Sequence, residues 1–310
     1  MKRILLSGGS GYVGQKWLSQ LQQLGLAEHV IRVGRTPKDN LSWYKLCMKD
    51  FRDVSAVFHL AGTTDGGVSC ESLEVHRIVN VEYTKSLFEL FLNSSVQLFV
   101  FMSTSKVMGE GRSEPYCVSD TCCPATDYAQ SKWEGEQVIQ SLWANWKSLN
   151  PNSGKRWLIL RPVVIHGEGL KRSIYQMHRW ARLGLPFPVS IANTKRSMVH
   201  ISTVLKALTL EYDSVRKNEI QLDHQAERVL FLSDCPAETL SAHLLSSMPP
   251  GGRLHIVNID HGFWQLLIST FDILFRGRIK SALQRLSVNF VVAERDVYHF
   301  QLTDSSSLKD

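Results

Sequence analysis

Of 310 residues, 44% are hydrophobic and 21% charged, the make-up of a globular chain long enough for one large α/β unit or a main domain with a smaller partner. The net charge of +6 is modest, and basic runs such as Lys155-Arg156 and Arg276-Gly277-Arg278-Ile279-Lys280 are too short to mark a nucleic-acid module, so no nucleic-acid partner is expected. No stretch reaches the ~18–20 apolar residues of a spanning helix.

An apolar strand is expected at Ile4–Leu6. It runs into Ser7-Gly8-Gly9-Ser10-Gly11-Tyr12-Val13-Gly14 and then a helix over Gln15–Leu24. Glycines at 8, 11 and 14 permit a tight turn and a close approach of backbone to a pyrophosphate, which the N–H groups opening the helix would face. The strand before and the helix after make this a dinucleotide site rather than a flexible loop. A second strand, His29–Val33, ends in Gly34-Arg35-Thr36. A carboxylate here would hold a ribose 2′-hydroxyl. None is present; Gly34 leaves room, and Arg35 offers a planar fork suited to a 2′-phosphate. NADP(H) is therefore expected ahead of NAD(H), unless Arg35 only covers the adenine.

Apolar strand patterns recur at Ala56–Leu60, Leu98–Met102 and Trp157–Leu160, with a late strand at Val229–Ser233. Helical patterns occupy Glu71–Leu92 and Tyr128–Trp146. Such alternation predicts an α/β protein with a doubly wound parallel sheet of Rossmann type. On the last of these helices, Tyr128 and Lys132 stand four residues apart and share a face. A free phenol has a pKa near ~10, and a neighbouring ammonium draws it toward the range useful for proton transfer.

These segments carry a family resemblance. Ser7-Gly8-Gly9-Ser10-Gly11-Tyr12-Val13-Gly14, His59-Leu60-Ala61-Gly62, Asn80-Val81-Glu82-Tyr83-Thr84, Ser103-Thr104-Ser105, Tyr128-x-x-x-Lys132 and Arg161-Pro162 come in one order and spacing, over about residues 2 to 295. The chain resembles an extended short-chain dehydrogenase/reductase of the NAD-dependent epimerase/dehydratase, or nucleotide-sugar, family. The resemblance implies a dinucleotide-binding domain at 1–166, with a strand returning near 228–234. A smaller substrate-binding lobe is implied from 167–200 and 236–310.

It also implies roles. Gly8, Gly11, Tyr12, Val13 and Gly14 would cradle the dinucleotide, with Asp50 and Phe51 at the adenine and Leu60, Ala61, Gly62 and Pro162 along it. Asn80 would anchor the active-site helix or a water. Thr104, flanked by Ser103 and Ser105, would hold the substrate oxygen, Tyr128 would exchange its proton, and Lys132 would bind the nicotinamide ribose. His59 and His200 are expected to be structural. Lys195-Arg196-Ser197-Met198-Val199-His200-Ile201 resembles the segment whose arginine contacts a sugar nucleotide's diphosphate, which makes Arg196 that ligand and Arg161 a further substrate contact. Thr203 stands where the family usually has Asp. Lys171 and Arg172 are second phosphate candidates.

Gly184-Leu185-Pro186-Phe187-Pro188 followed by Asn193–Ser197 resembles the bacterial nucleotide-sugar 4-ketoreductase branch. The expected reaction is NADPH-dependent reduction of a 4-keto group on a UDP-linked deoxyhexosamine, or a lipid-linked relative, in surface polysaccharide (O-antigen) synthesis. The alternatives are a UDP-hexose or UDP-N-acetylhexosamine 4-epimerase that retains NAD, a steroid or flavonoid ketone reductase, and a non-catalytic NADP-binding sensor or assembly factor. A homodimer is implied, through two helices that include the one bearing Tyr128.

Cysteines 47, 70, 117, 122, 123 and 235 show no C-x-x-C spacing, and Cys122-Cys123 is a vicinal pair. Without a signal peptide, reduced thiols, a cytoplasmic location and no metal site are expected. The run Phe263–Phe275 and the basic residues after it, to Lys280, are compatible with peripheral membrane contact. Packing in the lobe or against a second subunit is the favoured reading.

Overall fold

The computed structural model describes residues 2–35, 40–63, 73–170, 177, 182, 187–217, 227–246, 253–258 and 288–298. From the amino terminus, β1 (Arg3–Ser7) leads through the glycine loop into α1 (Tyr12–Gln23), then β2 (Val30–Gly34), β3 (Leu41–Ser42) and β4 (Val54–His59). Next come α2 (Leu73–Arg77), α3 (Tyr83–Asn93), β5 (Leu98–Met102), α4 (Asp127–Leu149) and β6 (Arg156–Pro162). The short strands β7 (Val164–His166) and β8 (Phe187–Pro188) precede β9 (Lys195–His200) and α5 (Ile201–Arg216). Then follow β10 (Glu227–Leu232), β11 (Asp234–Thr239), α6 (Leu240–Ser246) and β12 (Ile256–Val257).

Seven strands form one parallel sheet in the order β10-β6-β5-β4-β1-β2-β3. Alternate residues of each strand feed two cores, one on each face. Ile4 and Leu6 join Trp17, Phe58, Val100 and Leu208 on one side; Leu5 joins Val57, Phe88, Phe99 and Trp143 on the other. Each of these side chains is at most 1% exposed. Strands covered on both faces carry no polar alternation, which is why they read in the sequence as continuous apolar runs.

From β1 the chain steps outward to β2 and β3, then crosses back to β4 on the other side of β1. This reversal opens a crevice beyond the carboxyl ends of β1 and β4, whose last residues, Ser7 and His59, stand in register. The late strand β10 closes the far edge, with Val229 opposite Ile159.

Three details differ from the sequence reading. The helix expected over Glu71–Leu92 is interrupted: α2 gives way to one π-helical turn, Ile78–Glu82, before α3, and residues 71–72 lie outside the described residues. A 3.6-residue periodicity cannot register one inserted residue. The first helix starts at Tyr12 instead of Gln15, directly after the Gly11 cap. Strand β7, assigned by sequence to the dinucleotide domain, pairs with β9, which pairs in turn with β11, in a separate three-stranded sheet. Residues 288–298 tie that sheet to the main one through the bridges Arg196–Phe290, Tyr116–Val292 and Phe231–Val297. Among the described residues no helix is long and apolar enough to cross a membrane; the 263–280 segment lies outside them.

Candidate active site

The glycine loop fits the crevice because it has no side chains. Gly8 has φ +80°, and a Cβ there would lie 2.4 Å from Ala61 N and 2.6 Å from the Leu60 carbonyl carbon. A Cβ on Gly14 would sit 2.2 Å from Gly8 O. The loop is thus pressed against Leu60-Ala61, and α1 begins beyond it with no side chain capping its first N–H groups, those of Tyr12, Val13 and Gly14. This backbone cradle fits a diphosphate. Tyr12 reaches across the crevice and donates its hydroxyl to Glu168 O at 2.9 Å.

At the end of β2, Arg35 is exposed, with its guanidinium carbon 5.1 Å from the Trp43 ring centroid. A second arginine, not singled out in the sequence, lies alongside. The Arg32 stem runs past the glycine loop, its Cγ and Cδ 3.7 Å from where a Gly9 Cβ would be. The signal was its position two residues before Gly34 on the same face of the strand. The expected adenine pair lies in the turn Met48–Phe51. Phe51 is 2% exposed and packed in the core, so its ring cannot meet a base. Asp50 caps its own turn, accepting from Cys47 N at 2.9 Å.

Asn80 sits at the centre of the π-turn, 0% exposed. Its Nδ2 donates to Ser131 Oγ (2.9 Å) and Thr63 Oγ1 (3.2 Å), while its Oδ1 accepts from Thr63 N (3.2 Å). The residue therefore pins the loop after β4 to α4. A buried relay lies beneath it. Thr84 Oγ1 donates to Asn80 O (2.8 Å), so His59 Nε2 donates to Thr84 Oγ1 (2.8 Å) and Ser7 Oγ donates to His59 Nδ1 (2.6 Å). Burial, aided by the Lys132 charge, holds His59 well below its usual pKa, so the ring is neutral. It is a satisfied structural imidazole joining β1, β4 and α3. His200 likewise has local work, capping α5 through Nδ1.

Helix α4 begins where Thr126 Oγ1 accepts from Ala129 N and Asp127 complements the helix dipole. Tyr128, half-buried, and Lys132 lie one turn apart on it. Lys132 is 3% exposed; its Nζ donates to Met102 O (2.9 Å) and Ala61 O (3.4 Å) and stands 4.7 Å from the Phe101 ring centroid. Burial pulls the ammonium down to about 7, with Glu136 opposing the fall. Gly62 makes the approach possible, since a Cβ there would be 2.7 Å from Lys132 Nζ.

One turn further along α4, Glu136 is 1% exposed and gathers two residues that the sequence had assigned to substrate. Ser103 Oγ donates to it, and Arg161 holds it through an Nη2–Oε2 contact of 2.6 Å. Arg161 is 3% exposed and also reaches Met108 Sδ and Cys122 Sγ. Arg161 is thus corrected from a substrate contact to the counter-ion of a buried carboxylate, and Ser103 is committed to the same group. Next in the chain after Ser103 is Thr104, 8% exposed, whose Oγ1 accepts from Lys106 N (3.3 Å) and keeps its own hydrogen for another partner. Ser105 is 4% exposed and opens the following turn; Pro162 is buried at the end of β6. Glu136 was missed, although its spacing of eight from Tyr128 and four from Lys132 marks the same helix face.

Arg196 stands apart, on β9 of the small sheet. It is 7% exposed, with Nη2 donating to Val288 O at 3.2 Å. Burial draws its pKa to about 10, opposed by Glu110, so it stays charged at neutral pH. Lys171 and Arg172 lie outside the described residues.

A model of the NAD dependent epimerase/dehydratase family matches residues 4–221. A UDP-glucose 4-epimerase of Vibrio cholerae is 28% identical over 295 residues, 90% of this chain and 82% of that protein. An N-acetyl-alpha-D-glucosaminyl-diphospho-ditrans,octacis-undecaprenol 4-epimerase of Escherichia coli O157:H7 is 25% identical over 68% of this chain and 63% of that one. Among solved structures, MoeE5 in complex with UDP-glucuronic acid and NAD superposes with a TM-score of 0.60 at 20% identity, over 95% of both chains. The dTDP-4-dehydrorhamnose reductase of Bacillus anthracis, in complex with NADP, does so with a TM-score of 0.61 at 14% identity, over 85% of this chain and 86% of that one. Both structural likenesses speak to the fold.

Proposed function

Because the chain belongs to the NAD-dependent epimerase/dehydratase family, we propose that it exchanges hydride and proton at carbon 4 of a UDP-linked sugar, in the reducing direction, with NADPH, and for surface polysaccharide synthesis. The direction rests on one observation, the end of β2. Among the described residues at that edge, Gly34, Arg35 and Arg32 stand with no carboxylate, a setting that suits a 2′-phosphate. NADPH is consumed and released at each turnover, as a reductase requires. Action at carbon 4 draws support from the activities named for the V. cholerae and E. coli relatives, and the UDP carrier from the V. cholerae one alone, since the E. coli name gives a lipid-linked sugar.

Gly8 to Gly14, Leu60 to Gly62 and Lys132 would hold the dinucleotide; the space left by the missing Cβ atoms at 8, 14 and 62 is what a backbone-hugging ligand needs. When bound, its nicotinamide supplies the hydride. Thr104 donates its hydroxyl hydrogen to the sugar's carbonyl oxygen and fixes its position. Tyr128 gives its proton to that oxygen as the carbon is reduced. Lys132 favours the resulting phenolate by its charge. Glu136, gripping Ser103 and Arg161, keeps the end of β5 in place beside α4. Arg196 is the proposed diphosphate ligand.

A 4-epimerase with retained NAD is the second reading, favoured by the names of those two relatives. One reaction separates the two: purified protein, NADPH and a UDP-4-keto-6-deoxyhexosamine, with products analysed by mass and NMR. The reductase reading predicts a gain of two hydrogens with NADPH consumed. Isomerisation of a UDP-hexose supplied in its place, without cofactor consumption, would overturn it in favour of the epimerase.

A further inference from the structure

One titratable side chain beside Tyr128 has no part in the reaction so far. His76, on α2, is 4% exposed, and its ring centroid lies 6.1 Å from that of Tyr128 at an interplanar angle of 57°. Its Nδ1 is 2.5 Å from Thr63 Oγ1. Thr63 in turn is bonded twice to Asn80, through its main-chain N and its side-chain oxygen. Thr63 Oγ1 accepts from Asn80 Nδ2, and its own hydrogen and second lone pair let it either donate to His76 Nδ1 or accept from it, so the anchor holds with the ring in either tautomer. Packing alone does not call for an imidazole here, because a buried polar ring needs a bonded partner that an apolar ring would not. This one is held by Thr63, which is bonded to the same asparagine that fixes α4 through Ser131.

Reduction creates a demand that a proton source must meet. At each turnover the Tyr128 O–H bond breaks, the proton goes to the substrate oxygen, and a phenolate is left. Lys132 is poorly free to refill it, with two of its hydrogens given to Met102 O and Ala61 O. We propose that His76 returns the proton to Tyr128 after each reductive turnover, its ring held by Thr63. The imidazolium N–H bond breaks as the phenol O–H forms, and the ring regains a proton from water, so one solvent proton is consumed for each hydride delivered. This role rests on the reductive reading; a 4-epimerase returns the proton it removes and has no net demand. The charged and titratable groups on the elements packed against α2 are Asp127, Tyr128, Lys132, Glu134, Glu136 and, at its far end, Lys147 on α4 and Glu82 on the π-turn. Glu74 and Arg77 share its own helix, and Arg77 is paired with Glu134 at 2.6 Å.

The test has a part that needs no sugar. In the full-length protein saturated with NADPH, the His76 ring resonance, identified by its loss in His76→Phe, is followed by NMR from about pH 5 to about pH 9. Coupled groups titrate together, so Tyr128→Phe is expected to move that titration by about half a pH unit or more. In steady-state reduction of the 4-keto sugar, His76→Phe is expected to lower kcat about tenfold. The KM for NADPH should be unchanged, the pH profile shifted, the solvent deuterium isotope effect raised, and activity partly restored by imidazole buffer. Should His76→Phe not fold, Thr63→Val removes the anchor and keeps the ring, and a shifted pH profile is again expected. An unmoved His76 titration in Tyr128→Phe overturns the proposal, as does a folded variant with wild-type rate, profile and isotope effect. A wild-type protein that leaves the ketone untouched sinks the reductive reading instead, while the ring titration still decides whether His76 and Tyr128 are coupled.

Discussion

Lys132 shows how much a single position can dictate. Its ammonium is drawn to about 7 by burial, against about 10.4 for a lysine in an unfolded chain. Between those values the unfolded chain binds more protons than the folded one, so stability rises with pH across that window and is lowest below about pH 7. Lys155, brought to about 8 by burial, adds a slope of the same sign. We predict that Lys132→Met flattens the rise in urea midpoint of the ligand-free protein between about pH 7 and about pH 10, a difference of a few kcal/mol; a slope matching wild type would contradict this. Glu136→Gln should cost about 3–5 kcal/mol by leaving Arg161 without its counter-charge, as read from chemical denaturation. Tyr128, Lys132 and Asn80 were legible in the sequence because helical spacing and a fixed order of motifs locate them. Arg161 was misread because a motif gives a position and not the side chain's partner, and that partner, Glu136, lies 25 residues away on another element. The burial of the Phe51 ring was not legible either, because it shares a core cluster with Leu5, Phe88 and Phe99, which stand far from it in sequence.

The elements add constraints that residues alone do not. The π-turn of Ile78–Glu82 widens the helix by one residue where Asn80 turns inward, and its hydrogen bonds to Thr63 and Ser131 depend on that turn. Asn80→Ala should unlink the loop after β4 from α4 and lower kcat by about 10- to 100-fold while the fold is kept, as far-UV circular dichroism would register. In the glycine loop, Gly14→Ala would bring a methyl group 2.2 Å from Gly8 O, a backbone atom that cannot swing aside. That variant should lose NADPH binding in a fluorescence titration, and unimpaired binding would show that the loop is not the cradle. Periodicity predicted the helices and strands because each buries a stripe or a face. The π-turn escaped it because one added residue shifts the phase of the pattern without erasing it.

For the molecule as a whole, parallel order was readable because strands buried on both faces leave continuous apolar runs between amphipathic helices. The small sheet was not readable at the same resolution. β7 has three residues, too few for a period, and β11 pairs with β9 across a register shift. The cofactor edge also belongs to this scale, since Arg32 and Arg35 act there with a loop from another element. Replacing both by serine should raise the KM for NADPH about 10- to 100-fold and leave that for NADH nearly unchanged, given about 1.5–3 kcal/mol for hydrogen bonds to a charged group; equal effects on both cofactors would remove the basis for the reductive direction. The chemistry itself depends on the Tyr128 phenol. Single-turnover reduction of a UDP-4-keto-6-deoxyhexosamine by Tyr128→Phe, loaded with NADPH, tests it directly. The account predicts that the variant binds NADPH as wild type does and loses at least about 100-fold in rate; a rate within a few-fold of wild type would contradict it.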